Sequence, residues 1–226
     1  MVAVAIAGFV VTRLVAERDA RRDSERRAEV AATQIHARLE QAASLTESLR
    51  RFMLDAGGTG VSSDQFARNA SRWLSPADFP AAAWVEPVAD AERAAYERRI
   101  GQPIVTPDDR HTVVPAGSQS SYLPATLVSG FSPLALPGID LGREHGMAAA
   151  LDRASRLGRV TATPVGGPGA GTSGLFLVAP APNLVGNSLR AGHVVVFVPE
   201  PALRAGTEMP GLRLAADGVP AGWRTV

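Results

Sequence analysis

The side chains that could carry chemistry are few in this sequence and stand far apart. With no cysteine, only imidazole and oxygen ligands remain for a metal, and no pair of histidines has the helical spacing that binds zinc. No local pattern indicates an acid–base pair either. The sequence therefore predicts neither a metal site nor a catalytic residue. The histidines are His36, His111, His145 and His193.

One segment has the glycine density of a phosphate-binding loop. Gly166–Ser173 reads GGPGAGTS, but the chain contains no lysine to neutralise a phosphate, and the segment stands between two predicted strands with no helix after it. Gly171–Gly174 is also too short for a nucleophile elbow. We therefore expect a hairpin connection here, no enzymatic activity and no cofactor.

Composition sets the class of protein and excludes one class of partner. At 226 residues, 46% of them hydrophobic, the chain can bury a substantial core in one large domain or two small ones. The formal net charge is +1, so no global field would attract nucleic acid. We expect a folded protein that does not bind nucleic acid.

The N-terminus predicts an attachment to a membrane. Val2–Val11 is almost wholly apolar and runs directly into a charged segment. A membrane span needs about 20 apolar residues, and a secretory signal begins with basic residues, so neither pattern is complete. We expect residues 1–16 to be the end of a transmembrane helix that starts upstream. The alternative is a buried N-terminal helix.

A long helix should follow, because Glu17–Asp55 contains no proline or glycine and ends before Gly57 and Gly58. Its apolar residues recur every seven positions, with Arg38 as the polar exception. Such a seam could pair two copies into a homodimer or pack against the chain's own sheet, and the spacing does not decide between them. The seam consists of Ala28, Ala31, Ile35, Ala42, Leu45, Leu49 and Phe52.

After residue 57 the pattern changes to short alternating helices and strands. Ser62 and Gln65 form a capping-box pattern that should open a helix through Trp73. Asp90 should cap a second helix that carries Tyr96 on its apolar face and ends near Ile100. Strands are predicted at Ala82–Val88, His111–Val114, Tyr122–Val128, Val160–Thr163, Leu175–Ala179, His193–Val198 and Leu212–Ala215.

The segment Gly138–Pro164 predicts a helix, a turn and a strand without any catalytic group. Its apolar residues recur at spacings of three and four, which places one stripe against a core. Gly158 should stop the helix in a left-handed conformation, and Pro164 should close the strand. The stripe consists of Met147, Ala150, Leu151, Ala154 and Leu157.

The order of these segments resembles a CHASE domain, the extracytoplasmic sensor module of receptor histidine kinases, diguanylate cyclases and nucleotide cyclases. The resemblance runs from the stalk to about Val198, and it depends on order and spacing because each piece is a common pattern. The segments are LRRF at Leu49–Phe52, WVEPV at Trp84–Val88, ERAAYE at Glu92–Glu97, YLP at Tyr122–Pro124, and then GIDL, LDRASRLG and TATP.

The resemblance implies an α+β fold in which a long stalk helix precedes tandem PAS-like lobes with antiparallel sheets. The stalk would span residues 17–56, a membrane-distal sensor lobe residues 57–185, and an incomplete membrane-proximal lobe residues 186–226. The distal lobe would hold a small-molecule ligand.

The implied ligand contacts come from four of the predicted strands. Ordinary core packing is an equal alternative for Trp84 and Val178. The plant cytokinin receptors place an acidic ligand partner where this chain has only Arg143, Glu144 and His145, which argues against an adenine-type ligand and leaves the ligand unidentified. The implied contacts are Trp84, Tyr122, Leu123, Thr163 and Val178.

Two functions of different classes remain open. The first is a membrane-anchored sensory domain that binds a small ligand and relays the change through the stalk to an output domain absent from this chain, as in two-component systems. The second is a membrane-tethered interaction or structural domain without a ligand. A pocket in the distal lobe would favour the first, and a filled core with an exposed apolar patch would favour the second.

Overall fold

The computed structural model describes residues 2–107, 112–130, 136–144, 146–165, 173–185, 188–205, 214–215 and 224–225. Side-chain surroundings are described for these residues from 22 onward, apart from 59, 183–185, 188–190, 214–215 and 224–225. The glycine-rich residues 166–172, the turn at 108–110, His111, His145 and Leu212 lie outside this part of the chain.

The chain forms an α+β fold, as predicted. The helices are α1 (Val2–Asp55), α2 (Ser63–Ala70), α3 (Arg93–Ile100), α4 (Met147–Leu157) and α5 (Glu200–Arg204). The longer strands are β1 (Ala81–Val85), β6 (Ala125–Gly130), β7 (Thr161–Val165), β8 (Gly174–Pro180) and β11 (His193–Pro199). The short strands are β2 (Val88–Ala89), β3 (Val105–Pro107), β4 (Val113–Pro115), β5 (Ser121–Tyr122), β9 (Asn183–Val185), β10 (Ser188–Arg190), β12 (Leu214–Ala215) and β13 (Arg224–Thr225).

Five strands form one antiparallel sheet in the order β6-β1-β11-β8-β7. Along the chain, this order places the second, first, fifth, fourth and third of these strands side by side. β11 falls in the segment predicted as the proximal lobe, yet it lies at the centre of this sheet between β1 and β8. The sheet is therefore complete only with residues 193–199.

The two faces of the sheet bury different cores. On one face, Trp84 and Leu177 pack with residues of α1, α2 and α5. On the other, Val178 and Phe197 pack with Met147 and other residues of α4. Because side chains of a strand alternate between faces, neighbouring residues of β1 and β8 divide between the two cores.

The predicted long helix is confirmed, and its seam packs partly within the chain. Ala42, Leu45, Leu49 and Met53 belong to the core shared with the sheet. Arg38, the polar exception in the seam, donates from Nη1 to Asp78 Oδ1 at 2.9 Å. The C-terminal half of the seam therefore takes the second of the two alternatives, packing against the chain's own sheet. No helix within the described residues is long and apolar enough to cross a membrane.

The start of α2 is confirmed, and its end was predicted too late. Gln65 N donates to Ser62 Oγ at 3.2 Å, and Ser62 N donates to Gln65 Oε1 at 2.9 Å, which completes the capping box. The helix ends at Ala70 because residues 71–73 form a turn whose N–H groups fold back on it. Trp73 is consequently 54% exposed rather than on the apolar side.

Each of two predicted strands is divided into two shorter strands at a proline. β1 ends at Val85 and β2 begins at Val88, since Pro87 has no N–H for the ladder; Pro124 likewise separates β5 from β6. Pro164, in contrast, does not close its strand. It lies within β7, which is an edge strand and tolerates a missing donor there.

Two expectations about helix residues were wrong. Asp90 does not cap α3, because a 3-10 turn at Asp90–Glu92 precedes the helix. The Asp90 carboxylate accepts a hydrogen bond from the Tyr122 hydroxyl instead. Leu157 is 47% exposed, since it is the last residue of α4 and is followed by the C-cap Gly158, whose φ is 63°. The remaining stripe of α4 and the left-handed stop are confirmed.

Candidate functional site

A cavity of about 400 Å³ lies beside α4 and is called here the α4 cavity. This volume is within the range of about 300–1,000 Å³ that small-molecule sites occupy. One wall consists of residues of α4, namely Ala148, Leu151, Asp152 and Ser155. The rest comes from Pro87, Gln119, Ser121, Leu123, Gly142 and His193.

The α4 wall follows directly from helical spacing. Ala148, Leu151, Asp152 and Ser155 stand three, four and seven positions apart, so they share one side of the helix. This side overlaps the apolar stripe at Leu151, which is 5% exposed and packs on the sheet. The helix therefore turns an apolar edge to the core and a polar edge to the cavity.

Gly146 allows α4 to begin close to the sheet. Its φ is 77°, which a residue with a side chain rarely adopts. A Cβ at this position would stand 2.8 Å from Thr163 Oγ1 on β7. Thr161, on the same strand, donates from Oγ1 to the carbonyl of Ala150 at 3.1 Å. These contacts fix α4 on the sheet and thereby fix the α4 wall.

The opposite wall is held by one buried carboxylate. Asp140 is 2% exposed, and its Oδ1 accepts from Leu123 N at 2.8 Å and from Gly142 N at 3.0 Å. Its Oδ2 accepts from Gln119 Nε2 at 2.5 Å. Three lining residues, two from the segment 119–123 and one from the turn after Asp140, are thus tied to Asp140. We infer that Asp140 positions the wall without itself lining the cavity.

His193 lies where the sheet meets both α4 and the cavity. It begins β11, is 3% exposed, and its Nε2 is 2.9 Å from Ser155 Oγ. Burial lowers the pKa of His193 to about 4, against a smaller opposite effect of the Leu151 carbonyl. The imidazole is therefore neutral near pH 7 and offers a hydrogen bond without a charge.

The cavity lining carries little net charge. Asp152 is its one ionised side chain among the described residues, and it pairs with Arg156 at 2.9 Å. The other polar groups are an amide, two hydroxyls and the neutral imidazole, on Gln119, Ser121, Ser155 and His193. Such a lining fits a neutral molecule with several hydrogen-bonding groups better than an anion.

The five sequence-predicted contacts do not meet at one place. Leu123 lines the α4 cavity. Thr163 and Val178 lie beneath α4, 4% and 0% exposed, and Val178 belongs to the core on that face. Trp84 belongs to the core on the opposite face of the sheet. The structure therefore brings Leu123 alone of the five to the cavity surface, and it places Trp84 on the other side of the sheet.

Tyr122 is the fifth of these residues, and its hydroxyl is the centre of a hydrogen-bond network behind the cavity. Its hydroxyl donates to Asp90 Oδ1 at 2.8 Å and accepts from Arg93 Nη1 at 3.0 Å, and the Gln119 N–H lies 3.2 Å away. The Arg93 guanidinium also stands over the Tyr122 ring, 5.0 Å from its centroid. Tyr122 thus fixes the loop that delivers Gln119.

Sequence reasoning missed the residues that supply most of the polar lining. Asp152 and Ser155 stand on the polar flank of a helix that was interpreted only through its apolar stripe. His193 heads an otherwise apolar strand, HVVVFVP, and was set aside because no second histidine accompanies it. The available signal was the combination of a polar residue at one end of a buried strand and a helix that carries polar residues beside its apolar stripe.

The Ser155–His193 pair has the distance of a nucleophile and its base, but not the rest of a triad. His193 Nδ1 is buried without a hydrogen-bond partner, so no described carboxylate orients the ring. No group of three or more His, Asp or Glu residues in the described part of the chain could hold a metal ion.

Comparison with known families gives one match. The family model of the CHASE domain matches residues 59–179, more than half of the chain. Every residue that lines the α4 cavity except His193 lies within this match. A search of curated proteins found no match.

Proposed function

The chain belongs to the CHASE domain family, a family of extracytoplasmic sensory domains, and on that premise we propose that it senses a small neutral ligand in the α4 cavity. The observation that carries this proposal is the cavity itself. It is of ligand size, it lies almost wholly in the matched region, and its polar groups converge from α4, β11 and the loop at residues 119–123.

The ligand that fits has no net charge and both apolar and hydrogen-bonding surface. Leu123 and Leu151 supply apolar contact, and the amide, hydroxyl and imidazole groups supply donors and acceptors. An anion would meet the Asp152 carboxylate and no cationic lining residue. Among the earlier predicted contacts we keep Leu123 as a direct one, and Tyr122 and Thr163 as residues that position the walls.

The relay to the stalk would pass through β11. His193 of β11 lines the cavity, while Val194, Val196 and Val198 of the same strand pack in the core that contains Leu45 and Leu49 of α1. A ligand that prefers one position of α4 against β11 would therefore bias the packing of α1. The proposed signal is a small shift of α1 relative to the sheet.

The setting of this sensor is also part of the proposal. The apolar segment 2–11 at the start of α1 supports anchoring to the cell membrane, with the sheet on the extracytoplasmic side, as the family implies. We infer that the five-stranded sheet and its flanking helices form the PAS-like lobe, and that kinase or cyclase output belongs to another domain. Dimerisation through α1 stays a prediction, which sedimentation equilibrium would test.

A cavity-blocking pair of variants tests the ligand site. Ala148 and Ala149 are both exposed on α4, but only Ala148 is among the residues that line the cavity. We expect members of a panel of neutral heterocycles, polyols and sugars to raise the melting temperature of the wild type and of Ala149→Phe. They should not stabilise Ala148→Phe. Stabilisation that persists unchanged in Ala148→Phe would exclude the α4 cavity, and a panel without any effect would favour the interaction-domain alternative.

A further inference from the structure

A second cavity lies where α1, the end of α4 at Ser155 and Gly158, and the connection from β8 to β11 meet, and it is called here the stalk cavity. Its volume is about 490 Å³, again within the range of small-molecule sites. Arg50 of α1 lines it on one side, and Ala191, Gly192 and His193 line it at the start of β11. The stalk cavity therefore joins the helix proposed to carry the signal to the strand that lines the α4 cavity.

The chemistry of the stalk cavity differs from that of the α4 cavity. Arg50 is its one ionised side chain among the described residues, whereas Pro180, Pro182 and Ala191 give it apolar surface. His193 contributes a neutral ring, because burial lowers its pKa to about 4. The lining thus presents one guanidinium at an otherwise uncharged wall.

Arg50 retains donors for a ligand although it already has a partner. Its Nε donates to Glu47 Oε2 at 2.8 Å and its Nη2 donates to Glu47 Oε1 at 2.9 Å. A guanidinium has five N–H groups, so three remain. Arg51 also donates from Nε to Glu47 Oε1 at 3.2 Å, so the three side chains together carry one net positive charge. The Arg50 side chain is 23% exposed, which reduces screening by water.

The lining residues Gly192 and His193 are tightly packed, and two polar atoms without partners lie in or directly behind them. Gly192 packs against the Trp84 ring so closely that a Cβ there would stand 2.1 Å from Trp84 Cζ2. Trp84 Nε1 and His193 Nδ1 are both buried with no hydrogen-bond partner. Buried polar atoms of this kind are rare in folded proteins and often mark a functional site or a missing partner.

We propose that the stalk cavity binds a small amphipathic monocarboxylate, with its carboxylate on Arg50 and its apolar part against Pro180, Pro182 and Ala191. A carboxylate accepts two of the remaining guanidinium N–H groups, which gives a charge-assisted and directional contact. A second charge on the ligand would lie against uncharged lining, so one carboxylate is favoured over two. This inference does not depend on the α4 cavity being the sensory site.

Titration of the whole chain with simple acids tests this inference. The probes are butyrate, hexanoate and benzoate, each compared with its uncharged amide, and binding is followed by NMR at the Gly192 amide and the His193 ring. We expect the acids to bind in the millimolar range or tighter, and their amides at least about tenfold more weakly, because the amides lack the charge that strengthens the hydrogen bonds to the guanidinium.

Matched variants separate the proposed contact from general charge effects. Arg50→Gln should weaken acid binding at least about tenfold, and Arg50→Lys should recover part of it. Arg51→Gln removes the same charge from the more exposed neighbour and should leave the affinity within about twofold. Ala191→Phe should block the cavity while leaving every charge in place, and circular dichroism verifies that each variant is folded.

The outcomes are decisive in both directions. Loss of binding in Arg50→Gln and Ala191→Phe, together with retention in Arg51→Gln, supports the stalk cavity. Equal binding of acids and amides, no acid binding at about 10 mM, or equal losses in Arg50→Gln and Arg51→Gln would overturn it. Ala148→Phe distinguishes the two sites, because it should abolish binding in the α4 cavity and leave butyrate binding unchanged.

Discussion

Burial of His193 makes the stability of this protein depend on pH. The pKa of this imidazole falls from its ordinary value of 6.5 to about 4 in the folded chain, chiefly because burial penalises the charged form. Between these two values the unfolded chain binds a proton that the folded chain does not. The contribution of His193 to the unfolding free energy is therefore complete above pH 6.5 and decreases as the pH falls toward 4. Below pH 4 it does not change further.

We expect the wild type to lose about 2 kcal/mol of unfolding free energy between pH 7.5 and 5 through His193. His193→Gln should show a much flatter profile over this interval, measured by urea denaturation. Asp152, which also lines the α4 cavity, is paired with Arg156 at 2.9 Å. His36→Gln, which alters a side chain that is 73% exposed, should keep the wild-type slope. A wild-type slope in His193→Gln would contradict the assignment of this pH dependence to His193.

Tyr122 is a second residue whose hydroxyl decides local structure. It is fully buried, and its oxygen contacts Asp90, Arg93, the Gly117 carbonyl and the Gln119 N–H. Tyr122→Phe leaves these groups without their common partner and should cost about 1–3 kcal/mol of unfolding free energy.

Tyr96→Phe is the matched control for Tyr122→Phe. The Tyr96 hydroxyl is paired with Thr126 Oγ1 at 3.0 Å, so its removal should cost about 1 kcal/mol. Both costs can be measured by thermal denaturation of the two variants under identical conditions. If the two variants lost the same stability, the network around Tyr122 would have no role beyond a single hydrogen bond.

At the scale of elements, the contact between the β8–β11 connection and β1 is one of the closest approaches of a glycine to another element. Gly192 precedes β11, and its backbone lies against the Trp84 ring of β1. We expect Gly192→Ala to cost about 1–3 kcal/mol, because the new methyl group would overlap the ring. Gly60→Ala, where a Cβ meets no atom within 4 Å, should change stability by less than about 0.5 kcal/mol.

A double-mutant cycle tests the cause of the Gly192 effect. Trp84→Phe removes the ring atoms that approach Gly192, so Gly192→Ala should cost at least about 1 kcal/mol less in that background. Strictly additive changes in unfolding free energy would show that the strain lies elsewhere in the connection.

Element boundaries were only partly predictable from the sequence, and α4 is an element for which the prediction succeeded. Its apolar stripe and Gly158 were sufficient to predict this helix and its end. The end of α2 and the continuation of β7 through Pro164 depended on backbone hydrogen bonds and on the edge position of β7, neither of which local spacing contains. The same holds for Asp90, whose carboxylate is taken by a tyrosine 32 positions later in the chain.

For the whole molecule, the stalk helix and the sheet share one core. Leu49 of α1 is 1% exposed and packs in the core that includes Leu177 and Val196. Leu49→Ala should therefore cost about 2–5 kcal/mol, and the loss should register over the whole chain in a single transition.

Leu54→Ala is the control for Leu49→Ala, because Leu54 is 38% exposed and close to the end of the same helix. It should change the unfolding free energy by less than about 0.5 kcal/mol. Urea denaturation followed both by far-UV circular dichroism and by tryptophan fluorescence measures the two variants. Separate transitions for helix and sheet would contradict a shared core and would weaken the proposed relay through β11.

The sequence by itself determined the α+β class, the long first helix, most strands and the family, because these depend on periodicity, capping residues and the order of segments along the chain. Only the tertiary structure decided which residues meet. It placed Trp84 and Val178 on opposite faces of one sheet and left Leu123 as the predicted contact that lines the α4 cavity. It also brought Ser155 to His193 across 38 positions. Such contacts follow from the pairing of β11 with β1 and β8, a long-range choice that depends on burying both faces of the sheet at once.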